Sequence, residues 1–69
     1  MKIFAERLKE ERIMCGLTQT QVAEALGIKQ PSYIRYENGK GQPSLENLVK
    51  LSELFDVSVD YLLGKSDYL

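Results

Sequence analysis

Apolar and polar residues follow one another with a helical period along this chain, and glycine, proline, serine and asparagine interrupt that period at short intervals. Phe4, Leu8, Arg12 and Cys15 recur at i, i+4, i+8 and i+11, the spacing of one helix face. They predict a first helix from about Phe4 to Met14, closed by Gly16 as a left-handed cap. Cys15 falls on that core-facing stripe, so a buried, inert thiol is expected. Thr18 opens a second helix, and Gln21 stands three residues on in capping-box spacing. Val22, Ala23 and Leu26 are its stripe and Gly27 its break. A third helix is expected from about Pro31 to Glu37, ending at Asn38-Gly39, with a loop from Gly39 to Pro43. Ser44 caps a fourth, whose stripe is Leu45, Leu48, Leu51, Leu54 and Phe55. Ser58 caps a short fifth carrying Tyr61, Leu62 and Leu63, ended by Gly64. The expected fold is all-α, five helices joined by short turns. Residues 1–64 make its one domain and residues 65–69 a short tail, without repeats or linkers.

The segment from Gln19 to Glu37 has the layout of a helix-turn-helix. Ala23 is the small residue that lets two short helices approach, and Gly27 tolerates the positive φ of a tight turn. Val22, Leu26, Ile28, Tyr33 and Tyr36 sit at spacings that send both helices into one core. Gln30, Pro31, Ile34 and Arg35 are then left on the opposite face of the third helix. Arginine can bridge guanine O6 and N7, and glutamine adenine N6 and N7, so this face suits base reading in a major groove.

Over roughly Leu8 to Leu63 the chain resembles the phage-repressor (Cro/Xre, lambda-repressor-like) family of helix-turn-helix transcriptional regulators. Arg12 and the runs GLTQTQVAEALGI, IRYENGK, PSLENLVKL and DVSVDYLLG carry the resemblance. It implies a compact five-helix bundle with a helix-turn-helix, a sequence-specific binder of duplex DNA. Gln30, Pro31 and Arg35 take the base-reading positions, with Ile34 beside them. The resemblance further implies phosphate contacts from Gln19, Asn38 and Lys40, to which Ser32 is added, and a buried ion pair between Arg12 and Glu37. Lys29 stands where the family usually has a Ser or Thr cap, and Pro31 is unusual at its position. The residue before a proline avoids the α region, so Gln30 is expected to cap the third helix with Pro31 first inside it. Tyr33 stands where Ile or Val is common. Either it fills the core and Ile34 meets a thymine methyl, or the helix is somewhat rotated.

Composition narrows the function classes. There is no histidine and only one cysteine, so neither a disulfide nor an ordinary metal cage or general base is expected. Catalysis, cofactors, metals and small-molecule ligands are therefore absent from the expectation. No apolar run is long enough for a membrane span, and charges interrupt any leader-like stretch near Met1, which points to a cytoplasmic address. The net charge of −1 speaks mildly against nucleic acid, but it is unevenly spread: residues 1–40 carry seven basic and five acidic side chains, residues 41–69 two and five. A homodimer on a palindromic operator is expected, with Val59, Tyr61, Tyr68 and Leu69 as interface candidates, unless the chain is a fragment whose dimer contacts lie elsewhere. The competing class is a protein-interaction module of antitoxin or antirepressor type, for which DNA binding is secondary.

Overall fold

Three of the helices start where a hydroxyl side chain can accept a backbone N–H that the first helical turn leaves without a partner. In the computed structural model, which describes residues 2–68, the hydroxyl of Thr18 accepts from the Gln21 amide at 3.1 Å and the Gln21 side chain accepts from the Thr18 amide at 2.8 Å. This is the reciprocal capping box. Ser44 and Ser58 cap in the same way, accepting from Asn47 and Tyr61. The helices are α1 (Lys2–Met14), α2 (Gln19–Leu26), α3 (Gln30–Glu37), α4 (Leu45–Phe55) and α5 (Val59–Leu63).

Packing follows from short stripes. Phe4 and Leu8 of α1, Val22, Ala23 and Leu26 of α2, Tyr33 of α3, Leu48, Leu51 and Phe55 of α4 and Leu62 of α5 enclose one core. Between α2 and α3 the chain reverses at Gly27, whose φ of 72° is left-handed and whose N–H returns to the carbonyls of Ala23 and Glu24. Ala23, fully buried, lets the two helices close on each other. At the end of α4 the same left-handed conformation falls on an aspartate, Asp56, with φ 55°.

Several expectations change. α1 begins at Lys2, ahead of Phe4. Cys15 is exposed: its amide still donates to the Glu11 carbonyl at 2.9 Å, but it stands at the very end of α1, where the chain reverses at Gly16 (φ 70°), and Leu17 packs against the core instead. Gln30 is not the cap of α3. Lys29 takes that place in extended backbone (φ −80°, ψ 150°) with no side-chain hydrogen bond, and Gln30 and Pro31 form the first turn. Proline is tolerated there because its missing N–H would have had no helical partner. In α4 the buried arc is narrower than its run of leucines. At about 100° per residue, Leu48, Leu51 and Phe55 share an arc of roughly 60°, while Leu45 and Leu54 lie about 60° beyond either edge. Leu45 is accordingly 82% exposed and Leu54 37%. Ala5 and Glu11 are buried positions of α1 that the periodicity did not mark.

Candidate nucleic-acid interface

Tyr33 settles the orientation of α3. Its ring is wholly buried and meets Tyr36 edge-on, with centroids 6.1 Å apart. Of the two arrangements open from the sequence, the one with Tyr33 in the core is observed. Gln30, Pro31, Ser32 and Arg35 are consequently exposed and Ile34 half-exposed, so the side of α3 away from the core is free along its length. Asn38 and Lys40 are exposed just beyond its C-terminus, and Lys29 just before its start.

A polar network underneath holds this helix. The Arg12 guanidinium grips Glu37 with both arms, Nε to Oε2 at 2.6 Å and Nη2 to Oε1 at 3.2 Å. It also donates to the Leu17 carbonyl at 3.0 Å. The Tyr33 hydroxyl donates to the same carboxylate, and so does the Gln19 amide, at 3.2 Å. The Glu37 side chain is 2% exposed, yet every lone-pair direction it turns inward meets a donor. Burial alone would push its carboxyl up. The hydrogen bonds from Arg12, Tyr33 and Gln19, with the guanidinium charge, outweigh that and hold it below its ordinary value. Burial first, and then the adjacent carboxylate, push the Tyr33 phenol up, so it stays a neutral donor.

The network ties α1, α2 and α3 together at the one acidic residue of α3. With Glu37 paired to Arg12, the other charged side chains between residues 29 and 40 are the cations Lys29, Arg35 and Lys40, all exposed. The Tyr33–Glu37 contact has the i, i+4 spacing of neighbours on a helix and was open to sequence reasoning. Gln19 turns part of its amide inward, a contact that the sequence reading did not anticipate. Nor did it single out Arg7. That guanidinium donates to the carbonyls of Tyr61 (2.6 Å) and Ser66 (2.7 Å) and pairs with Asp67 at 2.9 Å. It lies 4.2 Å from the centroid of the Tyr61 ring, so Tyr61 is half-buried. Val59 is also half-buried, Tyr68 is 86% exposed, and Leu69 lies outside the described residues.

This architecture, a tight α2–α3 turn that presents α3 outward, is a helix-turn-helix, and the chain belongs to the helix-turn-helix family, which matches residues 8–62. Its relatives are transcriptional regulators and not enzymes. The transcriptional repressor RstR of the cryptic phage CTXphi, from Vibrio cholerae, is 45% identical over 65 residues, which is 94% of this chain and 57% of RstR. The transcriptional regulator ImmR of Bacillus subtilis is 45% identical over 64 residues, 93% of this chain and 50% of ImmR. The chain thus spans about half the length of these relatives. Among solved structures, the P22 c2 repressor in complex with a synthetic operator superposes with a TM-score of 0.82 at 26% identity, covering 90% of this chain and 94% of the repressor chain.

Proposed function

We propose that the chain binds duplex DNA sequence-specifically as a cytoplasmic transcriptional regulator, a repressor, acting as a homodimer on a palindromic operator. The observation that carries this reading is the outward face of α3, where Gln30, Pro31, Ile34 and Arg35 stand clear of the core while Tyr33 and Glu37 anchor the helix beneath them. A helix bared on one side and braced on the other can enter a major groove without distortion. Arg35 and Gln30 read base edges and Ile34 meets a thymine methyl. Pro31 shapes the first turn, and Gln30, no longer occupied as a cap, is available to a base.

Ser32, Asn38 and Lys40 bind backbone phosphates, and Gln19 does so with the amide hydrogen that Glu37 leaves free. Residues 1–64 form the DNA-binding unit and residues 65–69 a tail, of which Arg7 holds Ser66 and Asp67. Tyr68, with the exposed edges of Val59 and Tyr61, is where a second copy would meet the first. The similarity to RstR, named a transcriptional repressor, supports the regulatory sign.

The test starts with selection of binding sites from random duplexes. Binding of Arg35→Ala and Lys40→Ala is then measured on single-base variants of the selected site at two salt concentrations. Arg35→Ala is expected to flatten preference at one base pair per half-site, a loss of ~1–3 kcal/mol of discrimination. Lys40→Ala is expected to weaken all sites alike and reduce the salt slope by ~1. No enrichment of any duplex would refute DNA reading and return the protein-interaction module to the front. Selected sites without two-fold symmetry would refute the dimer.

A further inference from the structure

The exposed arginine of α3 is not free. Its Nη2 donates to the Lys40 carbonyl at 2.9 Å, while the Lys40 amide donates to the Arg35 carbonyl, also at 2.9 Å. The two residues are therefore joined in a closed ring, backbone to backbone and side chain to backbone. The next residue makes this possible. A Cβ built on Gly41 would lie 3.3 Å from Arg35 Cβ, 3.6 Å from Tyr36 Cδ1 and 3.7 Å from Arg35 Nε. Unlike the glycines at the helix ends, Gly41 does not have a left-handed backbone. Space, rather than φ, is what its missing side chain supplies.

We propose that Gly41 is a specificity-determining positioning residue: it lets the loop lie against the stem of Arg35, so that the Lys40 carbonyl holds the guanidinium in one orientation before DNA is met. This rests on the reading of Arg35 as a base-reading residue. A long, exposed arginine ordinarily loses rotamer freedom when it binds, and a side chain already held loses less. Guanidinium carries five N–H donors, so one bond to a carbonyl leaves others for a base edge. The device also joins reader to anchor, because Lys40 supplies the carbonyl to Arg35 and its own ammonium to a phosphate. A loop seated on the backbone thereby sets the aim of the arginine beside it.

The experiment compares wild type, Gly41→Ala, Arg35→Ala and the double variant on the selected operator and its single-base variants, at two salt concentrations. Circular dichroism and melting establish that each is folded. No rotamer change moves Arg35 Cβ, so in Gly41→Ala the loop must back away by a few tenths of an ångström and loosen the Lys40 carbonyl from the guanidinium. With the worth of one immobilised side chain lost, preference should fall by a factor of roughly 2 to 12 at the base pair that Arg35→Ala flattens. Preference at the other pairs and the salt slope should stay as in wild type. In the Arg35→Ala background Gly41→Ala should change nothing at that pair, a non-additivity that loss of stability alone would not produce. If Gly41→Ala melts early, this comparison still reads the coupling. Full preference retained in Gly41→Ala, or an equal loss at every base pair, overturns the proposal while leaving Arg35 as the reader. If Arg35→Ala itself flattens no base pair, the base-reading assignment fails, and the proposal fails with it.

Discussion

Replacing Arg12 with alanine should be the most costly single truncation at the foot of α3. The side chains of Glu37 and Arg12 are 2% and 13% exposed, so removing the guanidinium strands a carboxylate away from water. Breaking a buried pair from one side typically costs ~3–5 kcal/mol. Tyr33 and Gln19 still donate to Glu37 in the variant, which places the expected loss at the lower end, ~3 kcal/mol. For a domain of this size 1 kcal/mol moves the melting point by about 4–8 °C, so a drop of roughly 12–24 °C is expected at neutral pH. The pH dependence provides a sharper check. In wild type the folded pKa of Glu37 lies below its ordinary 4.5. The stability it contributes is fully present above that ordinary value and is lost as pH falls through the folded one. Without Arg12 the largest of the depressing partners is gone, Tyr33 and Gln19 alone oppose the upward push of burial, and the variant forfeits this contribution at higher pH. The gap between wild type and variant should therefore be widest near pH 7 and close as both are titrated well below 4.5. Melting curves across that range decide it. A gap of the same size in acid, or an Arg12→Ala variant that melts with wild type, would refute the buried-pair reasoning.

Three further outcomes can be measured on the same footing. Tyr33→Phe keeps the buried ring but removes a hydrogen bond to a charged group, and should cost ~1.5–3 kcal/mol in denaturant titrations. Tyr33 has its folded pKa raised above the ordinary 10.0, so wild type should lose stability as pH rises past that value, a component the phenylalanine variant lacks. Asp56→Gly removes the strain of a left-handed aspartate at the end of α4 and should raise stability by about 0.5–1 kcal/mol; an unchanged melting point would mean the site is not strained. Arg7→Ala should release the segment after α5, lowering stability and speeding tryptic cleavage after Lys65, whereas Asp67→Ala, on an exposed partner, should stay within about 0.5 kcal/mol of wild type. Equal cleavage rates in wild type and Arg7→Ala would show that Arg7 does not hold the segment.

What was legible in the residues themselves is what depends on near neighbours. Thr18 with Gln21, Ser44 and Ser58 announce helix starts because a capping hydroxyl reaches only the amides of the next turn. Ala23 and Gly27 mark the turn for the same local reason, whereas the spacing of Tyr33 against Gln30 and Arg35 left two orientations of α3 open until packing placed Tyr33 in the core. Tertiary structure decided the rest. Cys15 continues the phase of α1 on paper and its amide still bonds the Glu11 carbonyl, yet it is exposed at the helix end, where the chain reverses at Gly16 and Leu17 packs against the core in its place. Leu45 and Leu54 are as apolar as Leu48 and Leu51, and only the position of the helices facing α4 determines which arc is covered. Gln19 turns toward Glu37, and Arg7 toward Ser66 and Asp67, through hydrogen bonds between residues far apart in sequence. Periodicity registers the direction in which a side chain leaves its helix. Which distant carbonyl or carboxylate waits there is set by how the helices pack, and in this small domain that packing both braces α3 from below and orients Arg35 through the loop.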